Sequence, residues 1–241
     1  MVSVVIKNWD KKNWLSSKSY IFKFNNFLTK IQRLNSKSKI LDVGCGRGKI
    51  LGSLKSKLKL RYKPIGIDLI NHKDKDKRIK FKKIDALSFF SSNKKKFDLI
   101  LIKQTIHLLQ MNEIKILLKK MQNNLNPNGK IIIFTLDPNK NEIPCFNLMK
   151  KKLFKSMERD KKILNFILRL HPKSTMKRFV YKVKITKKRY NNMILKRFIS
   201  ILISLNDKQI VTGIKEISLK YRDNFSFNDK LVCIILKKQL N

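Results

Sequence analysis

Ile40-Leu41-Asp42-Val43-Gly44-Cys45-Gly46-Arg47-Gly48 is the stretch on which the reading of this chain turns. Only seven glycines occur in 241 residues, and three of them fall here within five positions. Such clustering in a glycine-poor chain points to a backbone that needs turns or close approaches other residues resist. Ile40 to Val43 has the character of a short buried strand, and a helix is predicted from about Lys49. The glycines between them permit a tight turn. Amides at the helix start would face a polar or anionic ligand group.

Strand, glycine loop and helix suit two kinds of nucleotide site. A dinucleotide fingerprint has glycine at its first, third and sixth positions. Gly44 and Gly46 fill the first two, but Lys49 stands at the sixth. The spacing is instead G-x-G-x-G with Asp42 ahead of it. This pattern resembles the first motif of the class I S-adenosylmethionine-dependent methyltransferases, in which the loop passes under the methionine part of the cofactor. A glycine turn with no ligand is the structural alternative.

Downstream elements extend the resemblance. Lys49 to Leu60 is a predicted helix, and Pro64 to Leu69 a second strand ending in Gly66-Ile67-Asp68. A carboxylate at the tip of a second strand can accept two hydrogen bonds from a ribose diol, and the family places its ribose-binding acid there. Capping a turn is the other role open to Asp68. Ile79 to Ile84 reads as the third strand, followed by Asp85-Ala86. In the family an acid here accepts from the adenine amino group, while neighbours such as Ile84 and Ala86 line the ring. Asp85 can equally be a helix N-cap.

Phe97 to Ile102 is the fourth strand, running into Lys103-Gln104-Thr105-Ile106-His107. This loop falls at the carboxyl end of the sheet, where open α/β folds place ligands. His107 is the candidate general base, with helix capping or packing as its alternative. Asn112 to Leu125 is helical, Asn126-Pro127-Asn128-Gly129 a turn, and Lys130 to Leu136 the fifth strand.

The resemblance therefore covers residues 40–136 well and the rest loosely. It implies a doubly wound α/β sheet of about seven strands, with S-adenosyl-L-methionine as cofactor. Asp42, Gly44, Cys45, Gly46 and Gly48 would hold its methionine end, Asp68 the ribose and Asp85 with Ala86 the adenine. Leu69 and Lys103 complete the expected cofactor set.

Around this core, residues 1–39 form an expected N-terminal cover. It includes Trp9, Trp14 and an amphipathic helix from Ser19 to Leu34. Residues 137–205 are expected to insert a basic, helical lid between the fifth and sixth strands. Within that insertion Phe154 to Leu170 is helical and Phe179 to Ile185 an exposed strand. Thr186 caps a helix running to about Leu205, with Arg197 and Ser200 near its middle. Residues 206–241 are expected to supply two final strands, Ile214 to Tyr221 and Lys230 to Leu236, around a hairpin at Asp223 to Asn228. His72 is expected on the surface.

Fifty-seven Lys and Arg oppose 16 Asp and Glu, for a formal charge of +41. The charge is spread over every segment alongside abundant Ile and Asn, as an AT-rich genome would produce. Residues 150–197 nevertheless hold 18 Lys and Arg against Glu158 and Asp160, which leaves nucleic acid a possible partner through the lid. Cys45, Cys145 and Cys233 are far apart, which argues against a structural zinc site or a disulfide framework. No apolar run reaches the ~20 residues of a membrane span. Val2 to Ile6 is too short for a signal-peptide core, so a cytoplasmic location is expected, with organelle targeting left open.

The acceptor is the open question. No N-P-P-Y type motif follows the fourth strand, and no cysteine is placed for attack on a pyrimidine. The expected reaction is methyl transfer to oxygen, nitrogen or carbon of a small molecule. The alternatives are an RNA or ribonucleoprotein acceptor, or a noncatalytic member that binds cofactor or RNA. Oligomeric state is not legible.

Overall fold

A computed structural model describes residues 13–238. Val2 to Ile6 and Trp9 lie outside the described residues. The centre of the fold is one seven-stranded sheet in the order β3-β2-β1-β4-β5-β7-β6. Its strands are β1 (Ile40–Val43), β2 (Ile65–Asp68), β3 (Lys80–Lys83), β4 (Phe97–Lys103), β5 (Leu125–Leu136), β6 (Thr175–Thr186) and β7 (Asn224–Lys237). β1 to β5 run parallel, and β7 lies antiparallel between β5 and β6.

The central strands are apolar on both faces because helices cover both. Leu99 and Leu101 of β4, Ile132 and Phe134 of β5, and Leu231, Cys233 and Ile235 of β7 point into one layer. That layer is closed by α1 (Lys18–Ile31), α2 (Lys49–Leu58), α6 (Lys187–Leu195) and α7 (Asp207–Lys220). Their alternates Ile100, Ile102, Ile131, Ile133, Val232 and Ile234 point the other way. They meet α3 (Ala86–Ser92), α4 (Met111–Asn123) and the second half of α5 (Asn147–Leu170). Asp42 shares its face with Ile40, so a carboxylate is turned into the otherwise largely apolar α1 layer.

Both sheet edges are lined with lysine. β3 exposes Lys80, Lys82 and Lys83, and β6 exposes Lys177, Lys182 and Lys184. Charged side chains on an edge oppose pairing with another chain, which gives part of the basic composition a structural use.

Three expectations after β5 need correction. Phe179 to Ile185 is a strand with one exposed face, as expected, and forms the core of β6, paired with β7 along its full length. The helical insertion accordingly falls between β6 and β7, as α6 and α7, while α5 packs on the sheet. Ile214 to Tyr221 is not a strand. It belongs to α7, where Ile210, Gly213 and Ile217 are buried at helical spacing and Asn206 and Gln209 form a capping box. The expected companion strand, Lys230 to Leu236, lies in β7 and pairs with β5 and β6, and Asn224 to Asn228 begin that strand instead of forming a hairpin.

The helix capped by Thr186 is also shorter than expected. It ends at Leu195, Arg197 takes a left-handed φ of 49°, and a separate 3-10 turn covers Ser200–Leu202. Gly213 explains how α7 sits so close to the core, since a Cβ there would lie 2.5 Å from the Phe146 ring. Gly213→Leu is therefore expected to destabilise the fold by about 1–3 kcal/mol, read by denaturant unfolding, through overpacking alone.

Candidate active site at the carboxyl ends of β1 to β4

The first loop turns on three glycines with left-handed φ: 75° at Gly44, 53° at Gly46 and 69° at Gly48. Gly44 and Cys45 donate their amides to the Ile67 carbonyl of β2, at 2.9 and 3.0 Å. Gly46 donates to Asp68 Oδ2 at 2.8 Å. The loop is thus strapped to β2, with its first amides spent on that strand. Asp68 Oδ1 also accepts from the Ile70 amide at 2.9 Å, so this carboxylate caps its own turn and holds the loop.

Arg47 is enclosed to 1% exposure and donates to Asp74 Oδ1 at 2.7 Å, while its carbonyl accepts from the Asp76 amide. That pins the β2–β3 connection beneath the loop. His72 is buried in this connection near Arg47, Asp68 and Asp74, contrary to the solvated position expected for it. Burial and the Arg47 charge hold its proton affinity below the usual value.

Asp42 is buried, and its Oδ1 has no hydrogen-bond partner among the described residues. Loss of hydration raises its pKa to about 7; Lys103 works against the rise and Asp68 adds to it. A carboxylate oxygen left unmatched in a protein interior is costly unless a ligand supplies a donor. Burial, with the nearby Asp42 and Asp68 charges, raises the Cys45 pKa and keeps its thiol protonated. At the tips of the neighbouring strands, Leu69 is 60% exposed despite its apolar side chain. Asp85 caps α3 by accepting from the Ser88 amide at 2.9 Å, with Ala86 as the first residue of that helix. The Ser88 bond lowers the Asp85 pKa.

Lys103 ends β4 on the Asp42 side of the sheet. Its Nζ donates to Gln104 Oε1 at 3.0 Å and lies 5.3 Å from the Tyr20 ring centroid and 5.6 Å from that of Phe24. Burial lowers its pKa to about 8, opposed by Asp229 and Asp42. Gln104 then takes a left-handed φ of 53°, a strained conformation for a residue with a side chain, and this turns the chain off the sheet. His107 follows in a 3-10 turn, Ile106–Leu108, directed towards α5. Burial and Arg159 lower its pKa to about 4.

Asp42, the glycine loop, Asp68, Leu69, Asp85, Ala86 and Lys103 therefore converge along one edge of the sheet. His107 stands apart from the Asp42–Lys103 side and is neutral at physiological pH, which makes it a weak base.

Four residues that the structure brings to this region were not picked out by sequence reasoning: Trp14, Tyr20, Gln104 and Asp229. Trp14 Nε1 donates to Asp229 Oδ2 at 3.0 Å in the interior. The signal for Asp229 was period-two alternation. Phe225, Phe227, Asp229, Leu231 and Cys233 share one face of β7, and only one of them is charged. Reading Asp223 to Asn228 as a hairpin concealed it.

Among the described residues no cluster of His, Cys, Asp and Glu could hold a metal ion. Nor is any helix among them long and apolar enough to cross a membrane.

Comparison with known proteins places this geometry. Residues 34–197 match the family model for a methyltransferase domain. No curated protein matches the sequence. Among solved structures, a protein assigned as a methyltransferase of an antibiotic biosynthesis pathway in Anabaena variabilis superposes with a TM-score of 0.62 at 13% identity. That match covers 91% of this chain and 97% of the other. An S-adenosylmethionine-dependent methyltransferase from Geobacter sulfurreducens, solved with S-adenosylhomocysteine, gives 0.55 at 14% identity, over 95% and 96% of the two chains. The plantazolicin methyltransferase BpumL, solved with a desmethyl substrate analog and S-adenosylhomocysteine, gives 0.52 at 17% identity, over 96% and 88%. At such identities these structures speak to the fold, and the family model, matched over most of the chain, speaks to kinship. The chain belongs to the methyltransferase-domain family, within the class I methyltransferases that use S-adenosyl-L-methionine as methyl donor.

Proposed function

We propose that this enzyme methylates a small molecule, with its donor held across the carboxyl ends of β1 to β4. The single observation that carries the cofactor placement is the orphaned, buried Oδ1 of Asp42 beside the glycine loop. The donor's α-ammonium group supplies the missing N–H. Asp68 has used one lone pair on each oxygen, and its remaining acceptor capacity suits a ribose diol. Exposed Leu69 gives the ribose and adenine an apolar contact, and Ala86 with Ile84 borders the ring. Asp85 holds the start of α3 and faces the exocyclic amine. Replacing Asp85 by Ala should cost about 1 kcal/mol through loss of the cap, seen in thermal unfolding, together with weaker cofactor binding.

When bound, S-adenosyl-L-methionine supplies an electrophilic methyl group on a sulfonium. The chain's own contribution is positioning and exclusion of water. Gly44 permits the loop to pass against Thr105, and the aromatic layer of α1 lies over the Lys103 end of the sheet. Lys103 stays close to the reacting end as a cation whose charge is balanced by Asp42 and Asp229. His107 is assigned a packing role at the turn after β4.

A small-molecule acceptor is supported by the aromatic surroundings of Lys103, where the rings of Tyr20 and Phe24 lie 5.3 and 5.6 Å from its Nζ. BpumL, whose solved complex contains a desmethyl plantazolicin analog, is in keeping with a natural-product acceptor. The test is transfer of labelled methyl from S-adenosylmethionine to separate pools of metabolites, RNA and protein. Label in the metabolite pool is expected, and label confined to RNA or protein would overturn this reading.

A further inference from the structure

Next to the cofactor residues lies a second group of polar atoms that the cofactor does not use. Tyr20 of α1 has no exposed surface, yet its hydroxyl has no hydrogen-bond partner among the described residues. Asp229, 1% exposed, accepts from Trp14 and lies within electrostatic reach of both the Tyr20 hydroxyl and Lys103. Lys103 nevertheless makes no ion pair within 4.0 Å of any carboxylate among the described residues. Three polar groups from α1, β4 and β7 thus lie within electrostatic reach with no hydrogen bond or ion pair between them among the described residues, beside the rings of Tyr20, Phe24 and Trp14.

We propose that Tyr20, Lys103 and Asp229 form the acceptor subsite, and that it takes the hydroxyl of a phenol. This rests on the cofactor placement above and adds the acceptor's chemistry to it. A hydroxyl is both donor and acceptor, so it can give its hydrogen to Asp229 while receiving one from Tyr20 or Lys103. A carboxylate in that position would confront Asp229, and an ammonium would confront Lys103. The aromatic walls select a flat, apolar body. A phenol, unlike an aliphatic alcohol, is acidic enough for a buried cation to favour its anion.

In the transfer the phenol proton passes to the Asp229 carboxylate, from which it is later lost to water. An electron pair of the oxygen forms the new O–C bond. The C–S bond of the donor breaks with its pair left on sulfur, so a cationic sulfonium becomes a neutral thioether. Burial raises the Asp229 pKa, in the direction such a proton acceptor needs.

The experiment titrates the S-adenosylhomocysteine complex with para-cresol, benzoate and benzylammonium by calorimetry, in wild type, Tyr20→Phe and Asp229→Asn. Asn retains an oxygen for Trp14, and Phe retains the ring of Tyr20. The complex is expected to bind para-cresol in preference to the two ions. Each variant should weaken that binding about tenfold with its affinity for S-adenosylhomocysteine unchanged. Tyr20→Phe should also unfold at a higher temperature, because it removes a buried hydroxyl that has no partner. A purely structural role would leave para-cresol affinity unmoved. Preference for either ion, no binding of para-cresol, or undiminished binding by both variants would overturn the proposal. Failure of wild type to bind S-adenosylhomocysteine would instead remove the cofactor placement beneath it.

Discussion

Gly44→Ala is expected to abolish binding of S-adenosylhomocysteine and to destabilise the fold by roughly 2–5 kcal/mol. Two causes add. The backbone at this position has a φ of 75°, and a left-handed conformation costs a residue with a side chain about 1–2 kcal/mol. The added Cβ would also lie 2.3 Å from Thr105 Oγ1 and 2.5 Å from its Cγ2. Overpacking of that kind costs about 1–3 kcal/mol more. Thr105 can yield only by moving, yet its hydroxyl is bonded to the Lys103 carbonyl at 3.1 Å. The clash therefore reaches the exit of β4 as well as the glycine loop. Denaturant unfolding reads the destabilisation and calorimetric titration the loss of binding. A variant as stable as wild type would show that Thr105 and the loop separate freely.

Asp42→Asn should separate stability from binding. The carboxyl has a pKa of about 7 in the folded protein and near 3.8 when exposed in the unfolded chain. The folded state therefore binds the proton more tightly. The stability this group contributes is fully present below about pH 4 and is lost as pH rises through about 7. Asn cannot ionise, so the variant should be more stable than wild type above pH 7. The gain has an upper scale set by about 1.4 kcal/mol for each factor of ten in proton affinity. Binding behaves in the opposite way. The cofactor's ammonium needs the ionised carboxylate, so wild-type affinity should rise about tenfold per pH unit below pH 7 and level off above it. In Asp42→Asn the affinity should be low and lose that dependence. Unfolding curves and titrations between pH 5 and 9 check both halves. A variant that binds as tightly as wild type at pH 8 would remove Asp42 from the site.

The first four strands and the glycine loop could be read from sequence because local signals agree there. Ile40 to Val43, the three glycines and Asp68 at a strand tip each carry their own chemistry; the expected Asn126–Gly129 turn is instead an irregular stretch inside β5, which begins at Leu125. The residues converge because parallel strands with right-handed crossovers bring their carboxyl ends together. Beyond β5 the signals compete. Ile214 to Tyr221 alternates like a strand when taken alone, but Asn206 and Gln209 begin a helix whose buried stripe runs through it. β6 looks exposed in sequence because it is an edge strand whose outer face meets solvent, although it pairs fully with β7.

The residues proposed for the acceptor side could not be found by local pattern at all. Trp14, Tyr20, Lys103 and Asp229 come from four places in the chain and meet only through tertiary packing. The signature that motivates the proposal, a buried hydroxyl with no partner among the described residues near separated charges, exists only in three dimensions. His107 shows the converse. Its place after β4 suggested a base, but the left-handed turn at Gln104 carries it towards α5 and Arg159.

The most direct measurement is calorimetric titration of the protein with S-adenosylhomocysteine, in wild type and in Asp68→Ala, with both shown folded by thermal unfolding. Asp68 joins the glycine loop to the tip of β2 through the Gly46 amide, and the proposed ribose contact is made by the same carboxylate. Saturable one-to-one binding by wild type, lost in the variant, is the predicted result. A folded wild type that gives no binding, or an Asp68→Ala protein that binds equally tightly, would contradict the placement of the cofactor at this loop.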